Sequence, residues 1–342
     1  MISFNCDYSE GAHPLILERL AATNFDQEPG YGFDSHSEHA RELIKEATAC
    51  PEADVTLLVG GTQTNAVIID AMLQHCEAVI AADTGHIAVH EAGAIEHSGH
   101  KVITIPHHDG KMLADDLNDY LTRFYGDPTW PHMAQPGMVY LSFPTEYGTI
   151  YSRAELEALY AVCRRHDMPL MIDGARLGYG LASEACDIDL PDLARLCDVF
   201  YIGGTKVGAL CGEAVVFPRG NAPKHWFSIV KQHGALMAKG RLLGVQFETL
   251  FTDGLYMRLS RHAIEMANEL KNLFKGCGIP MFIDSPTNQQ FPILTAEQTQ
   301  ALEGKVSYEV WSRLDDGRAV TRFASSWATP REHIDYLATL LK

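Results

Sequence analysis

Four polar segments of this sequence each follow a short apolar run and carry side chains that can take part in catalysis. The segments are GGTQTN (60–65), DTGHIAVHEAG (83–93), MIDGARLG (171–178) and YIGGTKVGAL (201–210). Ligands of open α/β sheets bind outside the carboxyl ends of the strands. We therefore expect the four segments to converge at one edge of a sheet.

The first segment is suited to binding an anion. Gly60 and Gly61 allow a tight turn, and Thr62 adds a hydroxyl to the backbone N–H groups that open a helix. An ordinary capped helix start is an equal alternative for this segment taken alone. The segment lacks the Lys-Ser/Thr of a Walker loop and the glycine spacing of a dinucleotide-binding fingerprint, which argues against a Rossmann-type dehydrogenase.

The other three segments supply a lysine, a carboxylate and a histidine. Lys206 lies among small and apolar residues, a setting that lowers the pKa of an amine and makes it a nucleophile toward carbonyls. Asp173 ends a predicted strand, where a carboxylate is as often a helix cap or loop anchor. His86 also follows a strand, and it could stack on a flat ring, transfer a proton or fill a pocket.

Together these side chains meet the requirements of one cofactor. Pyridoxal 5′-phosphate (PLP) needs a lysine for a Schiff base, a carboxylate for its pyridine nitrogen, a glycine-rich helix start for its phosphate and a stacking partner for its ring. The sequence therefore predicts PLP. We expect no metal site, because the histidine pair at 107–108 has no supporting carboxylate–histidine spacing.

Alternating apolar runs and helical patterns indicate an α/β fold. Apolar runs predict buried strands at 54–60, 78–83, 101–106, 138–143, 169–173, 198–203 and 213–218. Helical patterns lie between them at 64–75, 89–98, 113–124 and 153–166. Strands that are apolar throughout and alternate with helices are typical of a mostly parallel sheet that is covered on both faces.

The pattern changes near residue 242 and predicts a smaller C-terminal α+β domain. We expect a long helix over 243–274 with a break near 252–254, strands around 280–284, 290–293 and 319–324, and helices over 296–303 and 330–341. The predicted division is an N-terminal segment (1–20), a large domain (21–245) and the small domain (246–342).

Composition excludes several classes of partner. The 342 residues carry a net charge of −17, whereas nucleic acids and anionic membranes attract a basic face. No apolar run reaches the length of a membrane span, and the first residues lack the pattern of a secretory signal. Eight scattered cysteines without a CxxC pair are typical of free thiols in a reducing compartment, so we expect a cytoplasmic protein.

The quoted segments, together with FPTEYGTIY (143–151) and FASSWAT (323–329), resemble the low-specificity L-threonine aldolases. These are fold-type I, aminotransferase-like PLP enzymes of the β-eliminating lyase/threonine aldolase group, and the resemblance extends over nearly the whole chain. It implies a large PLP-dependent transferase-like domain. It also implies cleavage of L-threonine, L-allo-threonine and related β-hydroxy-α-amino acids to glycine and an aldehyde.

The resemblance further implies roles for individual residues. Lys206 would hold PLP as a Schiff base, Asp173 would bond the pyridine nitrogen, and His86 would stack on the ring. The residues near the phosphate would be Gly61, Thr62 and Thr205. The substrate carboxylate would be bound by Arg176, which also lies near the cofactor, and by Arg322.

Other implied roles concern proton transfer, the N-terminal segment and assembly. We expect His86 or His132 to take the proton of the substrate hydroxyl. Cys6 stands where many relatives have a serine near the substrate carboxylate, and Ser9 could substitute for it. Family members are dimers of dimers with active sites at the interface, and Lys231 is the candidate for the basic residue that a partner subunit places near the phosphate.

Two other functions stay open at this point. A PLP-dependent β-eliminating lyase that acts on another amino acid is the nearest alternative, although such enzymes are typically longer chains. A PLP-binding protein without turnover belongs to a different class, and the complete set of catalytic residues argues against it.

Overall fold

A computed structural model describes residues 1–341 of the chain. Its strands are β1 (Ile2–Ser3), β2 (Asp54–Leu58), β3 (Glu77–Ala82), β4 (Lys101–Ile105), β5 (Gln135–Ser142), β6 (Leu170–Asp173), β7 (Val199–Gly203), β8 (Glu213–Phe217), β9 (Gln289–Gln290), β10 (Ile293–Leu294), β11 (Val306–Ser307), β12 (Glu309–Arg313) and β13 (Ala319–Ala324). All seven strands that the sequence predicts between residues 54 and 218 are present.

These seven strands form one sheet in the order β2-β8-β7-β6-β5-β3-β4. Strand β8 runs antiparallel to both of its neighbours, β2 and β7. The remaining neighbouring pairs are parallel. The mostly parallel α/β sheet that the sequence predicts is thereby confirmed.

Both faces of the sheet are buried, which explains why its strands are apolar throughout. In β3, Ile80 belongs to the hydrophobic cluster on one face, whereas its neighbours Val79 and Ala81 belong to the cluster on the other. Successive side chains of a strand point to opposite faces, so a sheet with helices on both sides needs an apolar residue at every position.

The helices cover the sheet and build most of the small domain. The α-helices are α1 (Pro14–Ala22), α2 (Ser35–Thr48), α3 (Gly61–Met72), α4 (His86–Val89), α5 (Ala94–His97), α6 (Ala114–Gly126), α7 (Arg153–Arg165), α8 (Leu177–Leu181), α9 (Leu190–Arg195), α10 (Trp226–Gln232), α11 (Arg241–Phe251), α12 (Leu255–Gly276), α13 (Ala296–Leu302) and α14 (Arg331–Leu341). Short 3-10 turns lie at Trp130–His132 and Thr252–Gly254. No helix within residues 1–341 is both long and apolar enough to cross a membrane.

Backbone conformation sets two of the helix boundaries. The helix predicted over 89–98 is wrong as a single element, because Ala92 and Gly93 take positive φ angles of 51° and 74° and separate α4 from α5. The predicted break of the long C-terminal helix is confirmed, since Asp253 has a φ of 51° between α11 and α12.

The smaller sheet is built around β13, the strand predicted at 319–324. It pairs with β10, β12 and β9, all antiparallel. The strand predicted around 280–284 is wrong: only an isolated bridge joins Met281 to Pro292. Pro280 and Pro286 flank that segment and have no N–H to give to a ladder.

The N-terminal residues are fixed to the C-terminal part of the chain. Strand β1 pairs in parallel with β11. Phe4 is fully buried beside Phe323, with ring centroids 5.9 Å apart. This anchoring carries the residues after Phe4 toward the large sheet, while the division at 1–20, 21–245 and 246–342 stays a prediction.

The carboxyl edge of the large sheet gathers the polar segments. Ser142 at the end of β5 lies opposite Asp173 at the end of β6. Glu213, which opens the antiparallel β8, lies opposite both Leu58 of β2 and Gly203 of β7. The loops that follow β2, β6 and β7 therefore leave the sheet side by side.

Replacing Gly174 with alanine tests how tightly this edge is packed. A Cβ on Gly174 would lie 1.8 Å from the carbonyl oxygen of Tyr201, a backbone atom of the neighbouring strand. We expect Gly174→Ala to lower the free energy of unfolding by about 3 kcal/mol, measured by urea denaturation. Gly276→Ala is the matched control, because no atom lies within 4 Å of its added Cβ, and we expect a change within about 1 kcal/mol. Equal unfolding midpoints for the two variants would show that the edge of the sheet has room for a Cβ at residue 174.

Candidate active site

A cavity of about 310 Å³ opens at the carboxyl edge of the large sheet. Its wall includes seven of the residues that the sequence singles out: Gly61, Thr62, His86, Asp173, Arg176, Thr205 and Lys206. These seven residues span 145 positions of the chain, from 61 to 206, and line the same cavity. This is expected for loops that follow neighbouring parallel strands.

Lys206 lies in the turn between β7 and β8, and its side chain is buried in the cavity wall. The hydroxyl of Tyr179 donates to the backbone carbonyl of Lys206 and fixes this turn. Burial lowers the pKa of the lysine, and the Arg176 guanidinium lowers it further, although Asp7 and Asp173 oppose the shift. A larger fraction of neutral amine makes Lys206 a better nucleophile toward a carbonyl.

Asp173 is a buried carboxylate that is held by several donors. The Tyr140 hydroxyl donates to Oδ2 at 2.5 Å, Asn65 Nδ2 donates to the same oxygen at 3.1 Å, and the backbone N–H of Ala175 donates to Oδ1 at 3.0 Å. Burial alone would raise the pKa of Asp173, but its interaction with His86 and the hydrogen bonds from Tyr140 and Ala175 lower it below its ordinary value. Asp173 is therefore ionised at neutral pH.

His86 is oriented by a second buried carboxylate. Its Nδ1 lies 2.8 Å from Oε1 of Glu91, which also accepts a hydrogen bond from Asn65 at 2.7 Å. A ring nitrogen beside an ionised carboxylate is the donor, so Nδ1 carries a proton and Nε2 is the nitrogen left for the cavity.

The start of α3 is an anion site without an internal partner. Gly60 is the N-cap residue and offers no side chain, so no side-chain hydrogen bond caps the helix. The N–H groups of the first turn are then available to a ligand, together with the positive end of the helix dipole. Thr62 lies within this turn, and Thr205 lines the same cavity.

Arg176 is held by a residue from the start of the chain. Its Nε and Nη2 donate to the two carboxylate oxygens of Asp7 at 2.7 and 3.0 Å. Asp7 is fully buried; burial would raise its pKa, but Arg176 and Lys206 lower it to about 2. Within residues 1–341 the third guanidinium nitrogen, Nη1, makes no hydrogen bond, and Arg176 lines the cavity.

Arg322 lies beside this pair on β13. It forms an ion pair with Glu309, and its Nη1 donates to Gln289 at 3.2 Å. Burial lowers the pKa of Arg322, and the nearby Arg176 charge lowers it further. Two guanidinium groups that repel each other in this way favour an anion between them.

The structure does not bring His132 into the cavity. His132 is exposed in the 3-10 turn that precedes β5, at the amino end of a strand whose carboxyl end carries Ser142. It therefore lies at the opposite edge of the sheet from Asp173, outside this chain's own cavity, and its predicted role in proton transfer stays a prediction.

Four other predicted residues lie outside the cavity wall, which are Arg322, Lys231, Cys6 and Ser9. Lys231 is exposed on α10, with its Nζ 4.5 Å from the centre of the Tyr31 ring. Cys6 and Ser9 contact each other at 3.2 Å, while the residue that reaches the cavity from this segment is Tyr8.

Three carboxylates of the site were not predicted from the sequence, which are Asp7, Glu146 and Glu213. The last two line the cavity. Each had a signal: Asp7 stands within the matched N-terminal segment, Glu146 within FPTEYGTIY, and Glu213 opens the otherwise apolar run EAVVF. A charged residue that opens a fully buried strand is rarely placed there without a partner.

Comparisons with known proteins agree with this geometry. Residues 7–297 match the family model described as beta-eliminating lyase. A curated relative, the low specificity L-threonine aldolase of Pseudomonas aeruginosa, is 27% identical over 338 residues, which cover 98% of this chain and 95% of that protein.

Solved structures show the same likeness. The threonine aldolase of Leishmania major is 42% identical, with a TM-score of 0.96 over 100% of this chain and 98% of its own. Aspartate aminotransferase from Thermus thermophilus, at 15% identity, superposes with a TM-score of 0.72 over 99% of this chain and 90% of its own, which shows a shared fold.

Replacing Asp7 with asparagine tests the ion pair that holds Arg176. Removal of one partner leaves a buried charge uncompensated, so we expect Asp7→Asn to lower the free energy of unfolding at pH 7 by about 3 kcal/mol. Because the pKa of Asp7 falls from 3.8 to about 2 on folding, its contribution is complete above pH 4 and is lost as the pH falls toward 2.

Urea denaturation at several pH values measures both effects. The deficit of Asp7→Asn relative to the unmodified protein should shrink between pH 4 and pH 2. Asp315→Asn is the control, because Asp315 is exposed and makes no hydrogen bond within residues 1–341. Identical midpoints for Asp7→Asn and the unmodified protein at pH 7 would show that the pair does not stabilise the fold.

Proposed function

The chain belongs to the beta-eliminating lyase family, and from this membership and the site we propose that it is a PLP-dependent aldehyde-lyase that cleaves L-threonine and L-allo-threonine to glycine and acetaldehyde. The observation that carries the proposal is a buried lysine with a depressed pKa that shares one cavity with an ionised carboxylate and a paired arginine. The similarity to threonine aldolases over the whole chain supports it.

The residues present fit PLP. Lys206 would bond its carbonyl carbon, Asp173 would face its pyridine nitrogen, and the uncapped start of α3 with Thr62 and Thr205 would hold its phosphate. A helix N-terminus without a capping side chain is the kind of site that a phosphate completes. Bound PLP supplies an electron sink for the charge that bond cleavage leaves on the substrate Cα.

Asp173 sets the electronic state of the site. Because its carboxylate is ionised and buried, it favours a proton on a ring nitrogen placed beside it. The hydrogen bonds from Tyr140 and Asn65 fix the orientation of the Asp173 carboxylate, so its negative charge has a defined position in the site. His86, fixed by Glu91, offers a flat ring to the same space.

Arg176 and Arg322 bind the carboxylate of the substrate. Asp7 holds two nitrogens of Arg176 and leaves Nη1 for a ligand. A carboxylate fixed between two guanidinium groups orients the amino acid about its Cα, and this orientation selects the Cα–Cβ bond for cleavage.

His86 and Glu146 are the groups that take the proton from the substrate hydroxyl. Glu146 Oε1 accepts from the backbone N–H of His86 at 2.9 Å and from the Ser142 hydroxyl at 2.6 Å. Burial raises the pKa of Glu146 and so brings it closer to neutral pH, which suits proton transfer. Glu146 is a further candidate for this role beside the predicted His132.

The proposed assembly is a homo-oligomer, a dimer of dimers. An exposed aromatic patch supports self-association. The patch consists of Tyr31, Phe33 and Phe227, with the Phe33 and Phe227 rings 5.8 Å apart. Large apolar side chains that cluster on a surface mark interaction sites. Lys231 lies against Tyr31 in this patch, and this position supports the proposal that a partner copy meets it there.

A cytoplasmic location is supported by the cysteines. All eight are free thiols, the state that a reducing compartment maintains. The amino acid substrate is a metabolite of the same compartment, and the acidic composition keeps such a protein dispersed there.

Release of acetaldehyde tests the proposed reaction directly. We expect the purified, PLP-loaded protein to release acetaldehyde from L-threonine and L-allo-threonine but not from D-threonine. Lys206→Ala is the control, and it should lose both the release and the visible absorbance of lysine-bound PLP. Pyruvate formation from L-serine without acetaldehyde from either L-isomer would favour the β-eliminating lyase instead.

Substitution of the two proton acceptors tests their assignment. We expect His86→Asn and Glu146→Gln each to lower kcat for L-threonine cleavage by roughly 100-fold, since a general base contributes at least that factor. His97→Asn, at an exposed histidine of α5, should match the unmodified protein. If both site variants retain full kcat, neither residue accepts the proton.

A further inference from the structure

Glu213 occupies the position between the two loops that would hold the phosphate. It is the first residue of β8 and pairs with Leu58 on one side and Gly203 on the other. Leu58 precedes the glycine turn that opens α3, and Gly203 precedes the turn that carries Thr205. Glu213 lines the cavity and is only 3% exposed.

One oxygen of this carboxyl group is partnered and the other is not. Oε1 lies 2.9 Å from the hydroxyl of Thr205. Oε2 is buried and has no hydrogen-bond partner within residues 1–341. Within residues 1–341 no arginine or lysine forms an ion pair with Glu213, so its charge would be poorly compensated.

The groups around Glu213 keep it protonated at neutral pH. Burial and the nearby Asp173 together raise the pKa of Glu213 to about 8, against the opposing effects of the Thr205 hydrogen bond and Lys206. The other titratable groups that sense its charge are Tyr201 on β7, Tyr256 on α12 and Cys211 in the loop before β8.

The protonation state of Glu213 decides which acceptor receives the hydroxyl proton of Thr205. The Thr205 hydroxyl already accepts a hydrogen bond from the N–H of Gly212 at 3.0 Å. It has one proton to donate and one further lone pair. If Glu213 is ionised, it takes that proton; if Glu213 is protonated, it donates to the lone pair and leaves the hydroxyl proton of Thr205 free for another acceptor.

We propose that protonated Glu213 donates to Thr205 and thereby directs the Thr205 hydroxyl toward the phosphate of the cofactor, so that loss of this one proton weakens phosphate binding. The inference rests on the proposed function, because it takes PLP as the ligand. Glu213 is a positioning residue: it acts on the phosphate through Thr205.

Ionisation of Glu213 has two effects, and both weaken binding of the phosphate. It withdraws the Thr205 proton from the phosphate, and it places a negative charge beside a phosphate that is itself mostly dianionic above pH 7. Affinity should therefore fall as the pH rises through the pKa of Glu213, about 8, and the loss between pH 7 and pH 9 should be about tenfold.

Binding of pyridoxamine 5′-phosphate to the cofactor-free full chain measures this effect without covalent bonding to Lys206. For the unmodified protein we expect Kd to rise about tenfold from pH 7 to pH 9. Glu213→Gln keeps a neutral donor beside Thr205 and has no proton to lose, so its Kd should rise clearly less over the same pH range than that of the unmodified protein. Pyridoxamine, which has no phosphate, should show no difference between the two proteins.

Two results would overturn the proposal. One is the same pH dependence in Glu213→Gln as in the unmodified protein, and the other is an equal difference with pyridoxamine. A ³¹P NMR titration of the PLP-loaded unmodified protein serves if the variant does not fold: the phosphate resonance should shift with an inflection near pH 8, and a resonance independent of pH contradicts the inference.

The same experiments separate this inference from the proposed function. If the unmodified protein binds no pyridoxamine 5′-phosphate at any pH and releases no acetaldehyde from L-threonine, both proposals fail. If it binds the ligand and releases acetaldehyde while its Kd stays constant from pH 7 to pH 9, only the role of Glu213 is refuted.

Discussion

An ionised carboxylate enclosed in the protein must be surrounded by donors, and the site of this protein is arranged around one such group. Asp173 ends the central strand β6 and takes hydrogen bonds from Tyr140 of β5, from Asn65 of α3 and from the backbone beyond its own strand. Through Asn65 it is linked to Glu91, which in turn fixes His86. The anion loop, the flat ring and the strand end are thus connected by one set of hydrogen bonds.

The cavity also balances many charges in a small volume. Its wall holds the carboxyl groups of Glu91, Glu146, Asp173 and Glu213, and Lys206 and Arg176 lie among them. These acids are not equivalent: the environment lowers the pKa of Asp173 and raises those of Glu146 and Glu213. Burial raises the pKa of Asp173, Glu146 and Glu213 alike, so the nearby donors and charges decide which of these three acids is ionised.

The sequence predicted the parts of the site that follow from strand direction. Lys206, Asp173 and His86 each stand after an apolar strand, and the carboxyl ends of parallel strands share an edge. By the same rule His132, which precedes its strand, lies at the other edge of the sheet within this chain. Asp7 could not be placed in this way, because its position depends on pairing between β1 and β11.

Glu146 and Glu213 show a different limit. Their positions in the chain are visible, but their protonation states depend on burial and on partners that only the folded chain brings together. Strands β11 and β12 were not predicted, since a two-residue strand carries too little pattern and β12 has no buried residue.

The attachment of the first residues to the last third of the chain has a consequence for biosynthesis. Ile2 pairs with Val306, and Asn288 and Arg176 both bind Asp7, so residues 2 and 7 find their partners among residues that are synthesised much later. Contacts so distant in sequence are slow to form, because a long loop must close first. On the ribosome the site is therefore completed late, after the large sheet can already have formed.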